Sequence, residues 1–214
     1  MSNTICLTSA YLAPIHYYAR LFACEKVMIE QHDHYVKQTY RNRCEIASAN
    51  GRLSLTIPVE RSDGAKTPMR DVRISDHDHW RHTHWNALVS NYEKSPYFEY
   101  YADDLHPFYE QKYAFLLDFN EALQTKVCEL LDLPLSMERT AEYFTAEDLL
   151  QVEDLREVIR PKTPFTEDVR FLPKPYYQVF SHRYGFLPNM SIVDLLFNMG
   201  PEGLLTLRDS FLSL

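Results

Sequence analysis

The sequence predicts an α/β protein, with a mixed β-sheet in the first half and mostly helices in the second. Within residues 5–29, two short apolar runs flank an amphipathic segment, the pattern of a strand, a helix and a strand. Apolar residues then alternate with polar ones on both sides of Asn50-Gly51, as in a hairpin. We therefore expect one domain over residues 1–214, with a sheet part at 1–76 and a mainly helical part at 77–214.

The opening unit is predicted to be a βαβ unit. Residues 5–9 (ICLTS) read as a short buried strand, and Pro14 suits the first position of the helix that follows. Residues 27–29 form a second short apolar run. The apolar face of the helix is formed at helical spacing by Ile15, Tyr18, Ala19 and Phe22. Because the strands are joined through a helix, we expect them to pair in parallel.

A β-hairpin is predicted next, inside residues 35–58. The apolar positions that alternate around its Asn-Gly turn are Cys44, Ile46, Leu53, Leu55 and Ile57. Pro58 is expected to end the second strand, because proline cannot donate a hydrogen bond to the ladder. Residues 71–75 (DVRIS) are predicted to form a further strand.

Three helices are predicted between residues 77 and 134. The first carries an apolar face made of Trp85, Leu88, Val89 and Tyr92. It ends before Ser95-Pro96, because the residue before a proline disfavours helical backbone angles. Residues 96–105 form an aromatic-rich second helix, and Pro107 opens a long third helix that stops at 133–134.

The C-terminal region is predicted to contain a strand and two helices. Residues 176–180 are the expected strand. Ser191 and Asp194 have the spacing of side chains that cap a helix start. Gly200 suits the position after that helix, and Pro201 opens the last one.

Composition argues against several classes of function. Apolar residues make up 45% of the chain and charged residues 24%, as in ordinary globular proteins. The net charge of −8 argues against a nucleic-acid-binding protein with a broad basic face. There are only 5 glycines, and none of them forms a glycine-rich nucleotide-binding loop. A bound phosphate would therefore be held by side chains or by a helix N-terminus.

The cysteines and the hydropathy pattern predict a cytoplasmic protein without a membrane span. The four cysteines, at positions 6, 24, 44 and 128, form no C-x-x-C pair and are expected to be free thiols. The N-terminus lacks a signal-peptide pattern, and no apolar run approaches the roughly 18–20 residues of a membrane helix. We expect neither a cofactor nor a metal ion.

The cationic run at residues 37–43 is the strongest candidate for an anion site. Side chains alternate along a strand, so four residues of this run would share one face if it were extended. These four are Lys37, Thr39, Arg41 and Arg43. Arginine offers a planar two-pronged donor and lysine a mobile charge, so the three cations are candidates to bind a diphosphate or carboxylate.

Asn42 is a further candidate in this run, as a hydrogen-bonding residue. In a regular strand, however, it points away from the face that carries Arg43. If both residues line one pocket, the chain must bulge or turn around residues 40–43. The alternative is a solvated face whose cations pair with acids such as Asp33 and Glu45.

The sequence DHDHWRHTHW at residues 76–85 draws attention to metal binding and to acid–base chemistry. Its histidines are His77, His79, His82 and His84. On a helix the first and last share one face and the middle two another, so they would not converge on one ion, and no metal site is expected. His84, beside Trp85, is a candidate general acid or base, and a buried structural histidine is the alternative.

Two other polar residues lie next to predicted helix starts. His16 follows the first strand, at the end of a sheet where α/β proteins bind ligands. Its surroundings resemble the H-x-G-H signature of nucleotidyltransferases only weakly, since Tyr18 and Ala19 replace the glycine and the second histidine. Asn189 precedes the Ser191 cap, and it is a candidate to orient a substrate hydroxyl or carboxylate.

Five motifs, in this order and spacing, resemble the WbqC-like protein family over nearly the whole chain. They are YLAPIHYYARL, KQTYRNRCEI, LTIPV, HWNALVSNYEKSPYFEYY and FLPNMSIVDLLFNMGPEG. The resemblance implies a bacterial protein encoded among O-antigen and other surface-polysaccharide genes. It also implies a transferase, of acyl or aminoacyl type, that acts on nucleotide-linked sugars or glycan precursors. The family name brings no catalytic residue set.

The resemblance and the candidate residues together give a functional hypothesis. Lys37, Arg41 and Arg43, with Asn42, would bind an anionic small molecule such as a nucleotide-sugar. In the same hypothesis, the residues that orient or protonate the reacting groups are His16, His84 and Asn189. Two alternatives remain open: a non-catalytic binding or assembly protein of a polysaccharide gene cluster, and a nucleotidyltransferase-like enzyme.

Overall fold

A computed structural model describes residues 4–60, 66–134 and 136–212. Its strands are β1 (Thr4–Thr8), β2 (Lys26–Glu30), β3 (Arg43–Ser48), β4 (Gly51–Thr56), β5 (Ser136–Arg139) and β6 (Glu153–Asp154). Its α-helices are α1 (Ile15–Phe22), α2 (Trp80–Tyr92), α3 (Phe98–Leu105), α4 (Pro107–Glu110), α5 (Leu116–Leu130), α6 (Ser181–Tyr184), α7 (Ile192–Met199) and α8 (Gly203–Ser210). The mixed α/β fold class is confirmed.

A four-stranded parallel sheet forms the centre of the fold. Its strand order is β5–β2–β1–β6, and all three neighbouring pairs run in parallel. The βαβ opening is therefore confirmed, with Ile5 opposite Val27. The chain builds outward from β1 through β2 to β5 and then returns to the other side of β1. In open parallel sheets, ligands bind outside the carboxyl ends of the strands at such a reversal.

The hairpin formed by β3 and β4 is a separate two-stranded sheet, as predicted. Cys44 pairs with Leu55 and Ile46 with Leu53, so the apolar residues share one face. The cationic run before it is not a strand, because β3 begins only at Arg43. Residues 37–42 are turns and bends, with Gln38 at a left-handed φ of 60°. The expected turn near residues 40–43 is confirmed, and the shared strand face is wrong.

Other element predictions also need correction. The predicted strand at residues 71–75 contributes only isolated bridges, and the predicted strand at 176–180 has no strand pairing. The long helix opened by Pro107 is divided into α4 and α5, which are separated by residues 111–115. The two short strands β5 and β6 were not predicted. They come from the mainly helical part of the chain and complete the central sheet.

The core joins both parts of the chain. Helix α1 contacts α7 and α8, and α7 also contacts the hairpin strand β3. Side chains that are almost fully buried come from each of these elements, among them Tyr18, Ile46 and Phe197. None of the helices in the described ranges has the length and apolarity that crossing a bilayer requires.

Candidate functional site

Three of the predicted binding residues line one cavity of about 230 Å³, here called the Arg43 cavity. Its described lining residues are Tyr35, Lys37, Gln38, Asn42, Arg43 and Thr56. The turns before β3 bring them together, because they let Asn42 and Arg43 face the same space. A regular strand would send these neighbours to opposite sides. Lys37, Asn42 and Arg43 thus lie together because the chain turns, and not because they alternate along a strand.

Hydrogen bonds fix the inner wall of the Arg43 cavity. The Asn42 side-chain amide donates to the carbonyl of Ile57 at 2.8 Å, and the Ile57 N–H donates back to the Asn42 carbonyl at 2.8 Å. This pair continues the hairpin by one step beyond Thr56. Asn42 is 5% exposed, so its amide is held in place rather than free to follow a ligand.

The Arg43 cavity is electropositive although the chain is acidic. No carboxylate is found among its described lining residues. The Arg43 guanidinium donates to Ser54 Oγ at 2.6 Å and lies 3.3 Å from a Glu45 carboxylate oxygen. Lys37 is exposed and makes no ion pair with any residue in the described ranges. One free cation and one partly neutralised cation therefore face this space, an arrangement that attracts an anionic group.

Arg41 does not belong to the cavity lining, which corrects its predicted role. It is 1% exposed and its guanidinium pairs with Asp33. Its backbone carbonyl accepts a hydrogen bond from Asn120 Nδ2 at 2.7 Å. The alternative of a cation paired with Asp33 thus applies to Arg41. The ion pair between buried Arg41 and partly buried Asp33 anchors the turn, while Arg43 faces the cavity.

A second cavity of about 400 Å³, here called the Arg73 cavity, adjoins the first. Its described lining residues are Tyr35, Lys37, Val59, Glu60, Thr67, Asp71, Val72 and Arg73. Tyr35 and Lys37 border both cavities. The Arg73 guanidinium lies over the Phe115 ring, 4.8 Å from its centre. Among the residues predicted to bind a ligand, only Lys37 lines this cavity, because the residues from 67 to 73 come beside Lys37 only in the folded chain.

His84 is buried away from both cavities. Its Nδ1 lies 2.9 Å from the Tyr11 hydroxyl, which in turn lies 2.9 Å from the Tyr109 hydroxyl. Burial lowers the pKa of His84 to about 4, although a hydrogen bond with the Thr56 backbone acts in the opposite direction. The imidazole is therefore neutral near pH 7. The Thr56 backbone is its link to the Arg43 cavity, since Thr56 lines that cavity.

His16 and Asn189 meet at the start of α1. The Asn189 side-chain oxygen accepts a hydrogen bond from the His16 backbone N–H at 2.9 Å, and the Met190 carbonyl accepts one from the Ile15 N–H at 2.9 Å. These bonds satisfy donors that a helix N-terminus would otherwise offer to an anion. Asn189 therefore acts as a cap for α1, supplied from a distant part of the chain.

The His16 ring takes part in a buried ionic cluster. Its Nε2 lies 2.7 Å from the Asp168 carboxylate, and Arg20 Nε lies 3.5 Å from the same oxygen. Burial acts to raise the pKa of Asp168, but hydrogen bonds from His16 and the Arg170 N–H, together with the Arg20 charge, lower it overall. His16 itself is 1% exposed and stacks on Phe171. It lines neither of the cavities beside Lys37.

The carboxyl ends of the central strands are closed by another ionic cluster. Arg156 donates to both carboxylate oxygens of Asp154 at 2.8 and 2.9 Å, and to Glu30 at 3.2 Å. Glu30 is 1% exposed and ends β2, beside the reversal of strand order. At the position where parallel sheets usually bind ligands, these charged side chains are thus paired with one another.

Of the other predicted histidines, His79 and His82 border a third cavity of about 440 Å³, and His77 is not among its described lining residues. Its described lining residues are Asp76, His79, Arg81, His82, Trp85, His106, Tyr109, Glu110 and Lys112. Asp76 accepts from Arg81 at 2.6 Å and from Lys112 at 2.7 Å, and these contacts lower its pKa to about 2. No group of three or more His, Cys, Asp or Glu within the described ranges is arranged to hold a metal ion.

The predicted caps of α7 have different roles. The Ser191 hydroxyl donates to the Leu12 carbonyl at 2.7 Å instead of capping its own helix. Asp194 is fully buried and accepts from the Tyr92 hydroxyl at 2.8 Å, from the Tyr176 hydroxyl at 2.5 Å and from Gln178 Nε2 at 2.8 Å. Burial raises the pKa of Asp194 although these donors oppose the shift. Both side chains bind distant elements together.

Comparison with known proteins supports the resemblance seen in the motifs. The model of the WbqC-like protein family matches residues 9–162. The uncharacterized protein Rv1507c of Mycobacterium tuberculosis is 27% identical to this chain over an alignment of 222 positions. The alignment covers 94% of this chain and 96% of that protein. No solved structure matches the chain. The matched segment includes every described residue that lines the Arg43 and Arg73 cavities.

Proposed function

The chain belongs to the WbqC-like protein family, and we propose that it is a cytoplasmic transferase acting on a nucleotide-linked sugar or a related surface-polysaccharide precursor. The transfer is of acyl or aminoacyl type, as the family resemblance implies. The diphosphate lies in the Arg43 cavity, and the rest of the substrate extends past Lys37 into the Arg73 cavity. Lys37 and Arg43 bind the phosphate oxygens, and Asn42 shapes the wall behind them.

The observation that carries this proposal is the charge of the Arg43 cavity. In a chain of net charge −8, Lys37 and Arg43 face one cavity whose described lining holds no carboxylate. At two other positions where α/β proteins often bind phosphate, the protein's own groups are already paired: Asn189 and Met190 cap α1, and Arg156 pairs with Glu30 at the carboxyl end of β2. Lys37 and Arg43 are therefore the phosphate ligands in this proposal.

Isothermal titration with UDP- and dTDP-linked amino sugars tests the proposal. Replacing Lys37 or Arg43 by methionine removes the charged donor and keeps an unbranched, flexible side chain. Each change should weaken binding by about tenfold, the effect of losing one hydrogen bond to a charged group. Lys94→Met, at an exposed position outside both cavities, is the matched control. The proposal is wrong if no nucleotide binds, or if the double variant at Lys37 and Arg43 binds as the natural protein does.

A second candidate is a non-catalytic binding or assembly protein. It is favoured by one observation: neither of the predicted acid–base residues, His16 and His84, lines the Arg43 or Arg73 cavity. A binding protein needs the charged cavity alone. Recovery of a stable protein partner by pull-down, with no thermal shift caused by sugar nucleotides, would favour this candidate. Turnover of a bound nucleotide-sugar would favour the transferase.

A further inference from the structure

The Arg43 and Arg73 cavities differ in charge. The Arg43 cavity presents two cations and no carboxylate in its described lining, whereas the Arg73 cavity also contains Glu60 and Asp71. Lys37 borders both, so it stands where the purely cationic region meets the region that contains acids. A ligand spanning the two would need an anionic part at one end and a group compatible with carboxylates at the other.

The two carboxylates are available to a ligand. Glu60 is exposed and makes no ion pair with any residue in the described ranges. Asp71 has one ionic contact there, at 3.7 Å from Nε of its neighbour Arg70, and both side chains are about half exposed. Arg73 makes no ion pair in these ranges either, and its guanidinium lies over the Phe115 ring. Among residues 4–60, 66–134 and 136–212, no cation lies closer to either acid than the 3.7 Å contact of Asp71 with Arg70.

The sizes of the cavities fit a substrate of two parts. In a nucleotide-linked sugar, the diphosphate joins the nucleoside to the sugar. With the diphosphate at Lys37 and Arg43, one of these parts enters the Arg73 cavity of about 400 Å³. The polar lining of Glu60, Thr67, Asp71 and Arg73 suits hydroxyl and amino groups. Carboxylates bind a protonated amine directly, whereas they repel a sugar acid.

We propose that the Arg73 cavity receives the sugar, and that Glu60 and Asp71 select a sugar that carries a positively charged amino group. This inference rests on the proposed function, because it takes the position of the diphosphate from it. Each partly exposed ion pair changes affinity by about twofold to fivefold. The preference is therefore expected to be modest and measurable.

Isothermal titration at pH 6.5 tests the selection, since an amine with the pKa of an α-amino group is protonated there. The probes are nucleoside-diphosphate hexoses with a free amine at carbon 2, 3 or 4, each compared with its N-acetylated form. UDP-glucuronate and UDP complete the set. At least one free amine should bind about twofold to fivefold tighter than its acetylated counterpart. UDP-glucuronate should bind more weakly than any of the amines.

Neutral replacements of similar shape test whether the charges of Glu60 and Asp71 cause the preference. In the double variant Glu60→Gln, Asp71→Asn, the preference for the free amine over the N-acetyl form should disappear while affinity for UDP is unchanged. Glu93→Gln, an exposed carboxylate at the end of α2 and outside both cavities, is the control and should keep the preference.

Two results overturn the inference and leave the proposed function standing. One is equal binding of amine and N-acetyl forms at all three positions, with UDP binding still weakened by Lys37→Met. The other is a preference that survives in the double variant. If neither UDP nor any sugar nucleotide binds, the proposed function fails and this inference fails with it.

Discussion

His84 is 4% exposed and lies between the rings of Tyr11 and Trp80, and this burial sets its protonation state. The pKa of His84 is lowered from 6.5 to about 4 in the folded chain, so the unfolded chain binds its proton first as pH falls. The stability that the neutral histidine contributes is complete above pH 6.5 and is lost as pH falls towards 4.

This linkage predicts that the difference in unfolding free energy between the natural protein and a His84→Gln variant depends on pH. Between pH 7 and pH 5, the natural protein should lose about 2 kcal/mol of unfolding free energy through His84, and a His84→Gln variant should lack that loss. Urea denaturation at several pH values measures it. His82→Gln, at an exposed position of the same helix, is the control and should follow the natural protein. A constant gap between His84→Gln and the natural protein would contradict the prediction.

Arg41 and Arg43 are two residues apart and have opposite roles. Arg41 is 1% exposed and pairs with Asp33, whereas Arg43 lines a cavity. Arg41→Met should cost about 3 kcal/mol of stability, because it leaves a partly buried carboxylate without its partner. Arg43→Met should cost less than about 1 kcal/mol, since its ion pair with Glu45 is partly exposed.

Urea denaturation and ligand titration of the same two variants check this assignment. Arg43→Met should weaken the binding of nucleotide-sugars and remain nearly as stable as the natural protein. Arg41→Met should be less stable and bind normally once folded. The opposite pattern would show that Arg41, and not Arg43, faces the ligand.

At the scale of the element, helix α1 begins at a junction with the C-terminal region. Asn189 has a left-handed φ of 55° and accepts the His16 N–H, so it must supply both a backbone angle and a side-chain acceptor. Asn189→Gly keeps the angle and loses the acceptor, at a cost of about 1 kcal/mol, the contribution of one hydrogen bond. Asn189→Ala also strains the backbone and should cost about 2 kcal/mol. Thermal and urea unfolding rank the two, and an alanine variant as stable as the glycine variant would contradict this account.

The prediction of helices and strands succeeded where a hydrophobic period extended over several residues. The apolar residues of the hairpin alternate over two strands on either side of the Asn50-Gly51 turn signal, and this pattern predicted the antiparallel pair. Ser48 pairs with Gly51, so the loop itself consists of Ala49 and Asn50. The strands β5 and β6 escaped detection because they have 4 and 2 residues, too few to show a period. They exist because β1 and β2 leave their outer edges open to pairing. The break between α4 and α5 was missed because the apolar spacing continues across it.

At the scale of the whole molecule, Asp194 joins separate regions. It accepts hydrogen bonds from Tyr92 of α2 and from Tyr176 and Gln178 of the long C-terminal connection. Asp194→Ala should destabilise the protein by about 3 kcal/mol or more, because it leaves buried donors unpaired. Asp209→Ala, a half-exposed carboxylate on α8, should change stability by less than about 0.5 kcal/mol.

Urea denaturation measures the stability change of both variants. If Asp194 holds the regions together, Asp194→Ala should unfold at lower urea concentration in one cooperative step. A variant as stable as Asp209→Ala would show that the hydroxyls of Tyr92 and Tyr176 find other partners.

The fold class, the βαβ opening, the hairpin and the family follow from the sequence, because these depend on local hydrophobic periods, turn residues and motif order. The sequence also singled out Lys37, Asn42 and Arg43. Asn42 and Arg43 line one cavity because the chain turns before β3, as was expected from the sequence. Only the tertiary structure decided which charges are free. Arg41, His16, His84 and Asn189 each found a partner far along the chain or inside the fold. Burial and partners set the role of a polar residue, and neither is encoded in its own short segment.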